Sequence, residues 1–170
     1  MGAKVTLRSS TEASLKIGDL LSPDHVRVDV RASDKERLLH ELSAEAATAL
    51  GLDPREVSDQ IDKREALGST GVGNGVALPH ARLKGLKAPF GLLARLRQPI
   101  DFAAIDDKPI DIVFLLLLPD AAEGVQLNAL ACVARVLRNL NVLQRIRRAS
   151  DASSLFAAAV ESGADSAPNA

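Results

Sequence analysis

Residues 112–118, Ile112-Val113-Phe114-Leu115-Leu116-Leu117-Leu118, make an unbroken apolar run. It is far short of the roughly 18 residues that a membrane-spanning helix requires, so it reads as a strand buried on both faces. A strand of that kind needs cover above and below. The flanking sequence offers it, because the chain alternates strand-like and helix-like segments. Residues 25–30 alternate polar and apolar, residues 76–78 form a short apolar stretch, and Phe90, Leu92, Ala94 and Leu96 recur with period two. Pro99-Ile100-Asp101-Phe102 and Asp106-Asp107-Lys108-Pro109 punctuate the chain as loops or turns. Helical patterns cover residues 34–50, 53–67, 122–139, 141–149 and 151–161. The expected fold is α/β: a single α/β/α sandwich around a mixed, mostly five-stranded sheet, over residues 15–161. Residues 1–14 and 162–170 are polar and unpatterned, and are expected to be flexible tails.

Helix boundaries are written in the caps. Ser33-Asp34-Lys35-Glu36 reads as a capping box with Ser33 as its hydroxyl, followed by a buried stripe of Leu38, Leu42 and Ala46. Asp53-Pro54-Arg55-Glu56 opens the next helix, with Asp53 as cap and Pro54 in the first turn, and Gly68 closes it. On that helix Val57, Ile61 and Arg64 follow i, i+4, i+7 spacing, so a guanidinium lies along the apolar face. An arginine so placed needs a partner. A salt bridge to Glu65 or Asp62, snorkelling past the core, and a bidentate grip on a phosphoryl group all meet that need.

The next segment bears on that choice. Gly68-Ser69-Thr70-Gly71-Val72-Gly73-Asn74-Gly75-Val76-Ala77-Leu78 runs into Pro79-His80. A histidine after an apolar strand, taken alone, reads as a structural side chain, and a glycine run alone reads as a turn. Together they set an imidazole beside backbone N–H groups able to converge on an anion, with Ser69 and Thr70 adding hydroxyls and Asn74 an amide. The run has neither G-x-x-x-x-G-K-[ST] nor G-x-G-x-x-G spacing, which sets aside the common nucleotide loops. Pro79 fixes its own φ and biases Leu78 toward an extended shape, holding the base of the ring firmly.

Other sites are weaker. His40-Glu41 lacks the second histidine of a zinc helix, since Ala44 stands there, and three histidines with one cysteine leave no convincing metal set. His25 and His40 read as ordinary, partly exposed side chains, and Cys132 as a small buried hydrophobe on a helix. With 21 basic and 22 acidic residues the net charge is −1, so no global field favours nucleic acid or an anionic membrane. Four Phe with no Trp or Tyr offer few platforms for stacking bases. With a lone cysteine, no signal-peptide core and no spanning segment, the expected location is the cytoplasm, without direct membrane insertion.

Arg64-Glu65 followed by residues 68–80 resembles the phosphorylation-site segment of the IIA proteins of the bacterial phosphotransferase system. The likeness is to the nitrogen-regulatory branch of the fructose/mannitol class, and it continues through residues 99–111 and 115–119. It implies that His80 accepts a phosphoryl group on its tele nitrogen from a phosphorylated HPr-like carrier. It implies further that Arg64 holds the phosphate, that Ser69, Thr70, Gly73 and Asn74 shape its pocket, and that no organic cofactor takes part. Such a chain is a phosphotransferase component with a phosphohistidine intermediate rather than a stand-alone turnover enzyme. Regulatory members of the family choose protein targets, sensor kinases and potassium transport systems among them, by phosphorylation state.

One position departs from the family's pattern: Gln126 stands where relatives carry a second active-site histidine. Gln126 shares a helical face with Leu130, Val133 and Leu137, and its amide can donate a hydrogen bond but cannot become cationic. The expectation is that His80 still accepts phosphate while onward transfer to a sugar-specific IIB partner is weak. Two alternatives stand beside it: a sugar-transport IIA, and a binding module that is never phosphorylated.

Overall fold

The computed structural model describes residues 15–120 and 123–161, and the two expected tails lie outside them. A short 3-10 turn, Ile17–Asp19, leads into β1 (Leu21–Val30). Helices α1 (Lys35–Leu50) and α2 (Pro54–Ala66) follow, then β2 (Gly71–Gly73), β3 (Val76–Ala77), β4 (His80–Leu83), β5 (Phe90–Ile100) and β6 (Ile110–Pro119). Helices α3 (Glu123–Leu137), α4 (Leu140–Arg148) and α5 (Ala152–Glu161) close the chain.

The sheet is mixed and runs β1-β5-β6-β3-β2, with β4 also pairing β6. Strand β6, carrying the apolar run, sits inside it. Ile112, Phe114, Leu116 and Leu118 enter one core with α3, α4 and α5, whereas Val113, Leu115 and Leu117 enter the other with α1 and α2. Burial on both faces explains why this strand lacks the polar–apolar alternation of β1. The result is the expected α/β/α sandwich.

Several boundaries differ from expectation. The sheet has six strands rather than about five, because β6 offers its free edge first to Val76–Ala77 and then, after a break at Leu78-Pro79, to His80–Leu83. Proline has no N–H to give a ladder, so the strand line interrupts there and resumes at His80. Strand β5 runs through Pro99 to Ile100, which pairs with Ile110 beyond an irregularity after Arg95. That irregularity accommodates the proline expected to end the strand. The N-cap of α1 is Asp34 rather than Ser33: its carboxylate accepts from Arg37 N–H at 2.8 Å, while the Ser33 hydroxyl donates to that carboxylate at 2.9 Å. Asp53 caps α2 as expected, with Pro54 in the first turn. Among the described residues no helix is long and apolar enough to cross a membrane.

The glycine run does not wrap. It folds as a β2–β3 hairpin in which Asn74 (φ 56°) and Gly75 (φ 77°) are both left-handed, the backbone that a two-residue Asn-Gly turn requires. Pairing through this hairpin carries the chain from the end of α2 back onto β6, and so delivers His80 to the edge where α2 ends.

Candidate functional site: an imidazole facing a guanidinium

His80 is half-buried at the first residue of β4. Its Nδ1 lies 2.9 Å from the carbonyl oxygen of Leu78. A carbonyl only accepts, so Nδ1 carries the proton and Nε2 holds the lone pair. That lone pair meets the Nε–H of Arg64, which donates to it at 3.3 Å, while Arg64 Nη1 donates to the Gly68 carbonyl at 3.0 Å. The imidazole pKa falls below its ordinary 6.5. Burial is the main cause and the Arg64 charge adds to it, against the Leu78 hydrogen bond, which favours the protonated ring. The ring is oriented, with its lone pair on Nε2 and the neutral form favoured.

The acids that compete for Arg64 in the sequence are taken elsewhere. Asp62 lies 3.2 Å from His40 Nε2, and Glu65 pairs with Lys35 at 2.8 Å. No ion pair of Arg64 occurs among the described residues. Its partners are the ring and the Gly68 carbonyl.

Both groups open onto a cleft of about 570 Å³. Helix α2 lines it with Gln60, Lys63, Arg64 and Leu67, β4 with His80, Ala81 and Arg82, and α3 with Glu123, Gln126, Leu127 and Leu130. Leu67 and Leu127 are exposed on its rim. Gln126, only 3% exposed, donates from Nε2 to the Pro119 carbonyl at 3.2 Å, so its amide is held at the cleft wall. Lys63 and Arg82 escaped the sequence reading. Arg82 was legible as the i+2 neighbour of His80 on one strand face, and Gln60 as the residue one turn before Arg64.

Ser69, Thr70, Gly73 and Asn74 are not among the cleft-lining residues. The Ser69 hydroxyl donates to the Phe102 carbonyl at 2.8 Å, and both Thr70 N–H and its hydroxyl donate to the Glu65 carboxylate at 2.8 and 2.6 Å. The Asn74 N–H donates to Asp106 at 3.1 Å, and the Asp106 carboxylate also lies 3.5 Å from where a Cβ on Gly73 would stand. The N–H groups of Thr70, Gly71 and Asn74 are therefore spent inside the fold. Hairpin geometry, signalled by Asn74-Gly75, accounts for it.

The remaining candidates have structural partners. The His25 ring tilts against Phe90 at 4.6 Å, and Cys132, buried in α3, donates its thiol to the Leu15 carbonyl. Burial pushes that thiol pKa up. Among the described residues no three His, Cys, Asp or Glu side chains gather as a metal site.

The family described as "Phosphoenolpyruvate-dependent sugar phosphotransferase system, EIIA 2" matches residues 19–160. A "Nitrogen regulatory protein" of Bradyrhizobium diazoefficiens is 42% identical over 142 residues, covering 84% of this chain and 93% of that protein. One from Pseudomonas aeruginosa is 35% identical over 148 residues, covering 86% and 96%. The crystal structure of nitrogen regulatory protein IIA-Ntr from Neisseria meningitidis superposes with a TM-score of 0.79 at 34% identity, over 84% of this chain and 98% of that one. The mannitol IIA of Escherichia coli, at 17% identity and a TM-score of 0.67, shares the fold. The chain belongs to the EIIA 2 family of the phosphotransferase system and, within it, to the nitrogen-regulatory proteins.

Proposed function

We propose that this chain is a phosphohistidine carrier in which Nε2 of His80 accepts a phosphoryl group from a phosphorylated HPr-like protein. One observation carries the reading: the Leu78 carbonyl holds the proton on Nδ1 and leaves the Nε2 lone pair directed at Arg64. In the transfer the Nε2–P bond forms as the donor's P–N bond breaks. The donor imidazole leaves with the electron pair of that bond. Nδ1–H stays on the Leu78 carbonyl throughout, so the acceptor ring sheds no proton to become nucleophilic. Arg64 gives up its hydrogen bond to the lone pair and turns to the phosphoryl oxygens, which carry the developing charge. Lys63 and Arg82 supply further positive charge at the same cleft. Ser69 and Thr70 serve this site indirectly, as ties of the turn after α2 whose Gly68 carbonyl holds Arg64.

The phosphorylation state then selects protein targets in the cytoplasm, with sensor kinases and potassium transport systems as the classes to test. Gln126 favours regulation over sugar transport, because a neutral amide at the cleft wall offers no cation to a phosphoryl group in transit. Reconstitution with labelled phosphoenolpyruvate, an enzyme-I-type kinase and an HPr-type protein tests the proposal. Label enters the wild type as an acid-labile, base-stable phosphohistidine and is absent from His80→Ala. Label retained in that variant, or no label on the wild type, refutes it.

A further inference from the structure

Glu65 follows Arg64 in sequence and is one of the two acids that compete for its guanidinium there. Its carboxylate is 7% exposed and fully engaged. Oε1 accepts from Thr70 N–H at 2.8 Å and from Lys35 Nζ at 2.8 Å, and Oε2 accepts from the Thr70 hydroxyl at 2.6 Å. Lys35 also donates to the Phe102 carbonyl at 3.3 Å and sits 4.3 Å above the Phe102 ring, and Ser69 donates to that same carbonyl. These contacts close a frame around the turn between α2 and β2. Its outer side is the Arg64 bond to Gly68.

We infer that Glu65 is a positioning residue for phosphoryl acceptance at His80: by holding Thr70 and Lys35 it fixes the turn that aims Arg64 and leaves that guanidinium without an acidic partner. The inference rests on the reading of His80 as the acceptor. Two physical reasons support it. A carboxylate this buried costs free energy unless charge and hydrogen bonds satisfy it, and Lys35 and Thr70 do so without drawing on Arg64. Lys35 also neutralises Glu65, so an incoming dianionic phosphoryl group meets a net positive wall. Glu65 is absent from the cleft lining, so its hold on the site's geometry runs through Arg64, while its charge also acts on the His80 ring, favouring the protonated form.

The test uses the full chain with Glu65→Gln, which keeps shape and one acceptor but loses the charge, and Thr70→Val, which removes only the hydroxyl bond. Phosphoryl transfer from the HPr-type donor is followed kinetically, and the Arg64 Nε–H resonance is followed by 15N NMR. Expected for Glu65→Gln is a kcat about 10- to 100-fold lower with donor KM unchanged, the signature of a misaimed group rather than a damaged docking face. Its Arg64 Nε–H signal shifts and exchanges faster with water. Thr70→Val moves both readouts the same way, by several-fold. Wild-type kcat with an unshifted Arg64 signal in either folded variant overturns the inference; should Glu65→Gln not fold, Thr70→Val decides. Failure of the wild type to label defeats the acceptor reading instead, and the Arg64 signal still tests the frame.

Discussion

Arg64 and Arg147 are both half-exposed guanidiniums that reach the glycine-rich segment from a neighbouring helix, yet their partners differ in kind. Arg147, on α4, is paired with an acid: Nε and Nη2 each donate to the Asp111 carboxylate at 2.8 Å, and Nη2 donates to the Asn74 carbonyl at 2.6 Å. The bidentate Asp111 contact pushes its pKa up, binding the charge more firmly. Arg64 faces a neutral ring and a carbonyl and has no acidic partner among the described residues. One cation is consumed by the fold and clamps the hairpin tip; the other, in the function proposed above, is kept for an anion. Between two side chains of one type, the presence or absence of a carboxylate partner separates a structural strut from the group proposed to grip phosphate.

The sharpest way to break this contrast is to remove each arginine in turn. Arg64→Ala is expected to lower phosphoryl transfer to His80 by about 100-fold or more, the scale seen when a preorganised charge donor is lost, with thermal stability nearly unchanged. Arg147→Ala is expected to leave transfer within about twofold and to cost about 1 kcal/mol of stability once solvent screening of a partly exposed pair is allowed for. Donor-dependent labelling and urea denaturation of both variants read the two quantities. Equal effects on transfer would erase the distinction.

A smaller effect is expected at the opposite wall of the cleft. Gln126→His places a group there that can become cationic, and it should raise onward transfer to a IIB-type acceptor by about tenfold, leaving acceptance from the HPr-type donor unaltered. Stopped-flow transfer with wild type and variant measures it. An unchanged onward rate would mean that the wall amide already does what an imidazole would do, and would return the sugar-transport reading to equal standing.

The site was partly legible before the fold was known. Period-two and i, i+4, i+7 patterns reported local geometry, so Arg64 could be placed on an inward helix face and the apolar run at 112–118 in the sheet interior. The choice among partners for Arg64 was not legible, because it turns on where Lys35 and His40 lie, residues 22 or more positions away along the chain that α1 brings against α2. The glycine run misled for a different reason. Glycine-rich backbone fits an anion nest and a tight hairpin equally well, and only Asn74-Gly75 distinguishes them, through the two consecutive left-handed residues of its turn. The break at Leu78-Pro79 was visible. Its consequence was not: the strand resumes at His80, and the carbonyl it leaves free of the ladder is the one that fixes the imidazole tautomer.

The smallest expected effect is on pH dependence, and it bears on the same contrast because Arg64 contributes to it. With its pKa drawn below 6.5 by burial and by Arg64, His80 in the native state binds fewer protons than the unfolded chain between the native midpoint and 6.5. Where the unfolded state binds more protons, stability rises with pH, so this group's contribution is complete above about pH 6.5 and declines as pH falls through that window. Urea midpoints measured from about pH 8 to pH 5 should show a shallow decline that His80→Ala abolishes. Arg64→Ala should narrow the window, since removing the guanidinium lets the midpoint climb back toward its ordinary value, and the His80 Cε1–H resonance reports that climb directly. The same titration sets the acid limit of acceptance, because only the neutral ring carries a lone pair on Nε2. Acceptance in the wild type should therefore persist to lower pH than in Arg64→Ala. A ring that titrates at the same pH in the wild type and in Arg64→Ala would show that the guanidinium does not press on it, and the role proposed for Arg64 would be without an electrostatic signature.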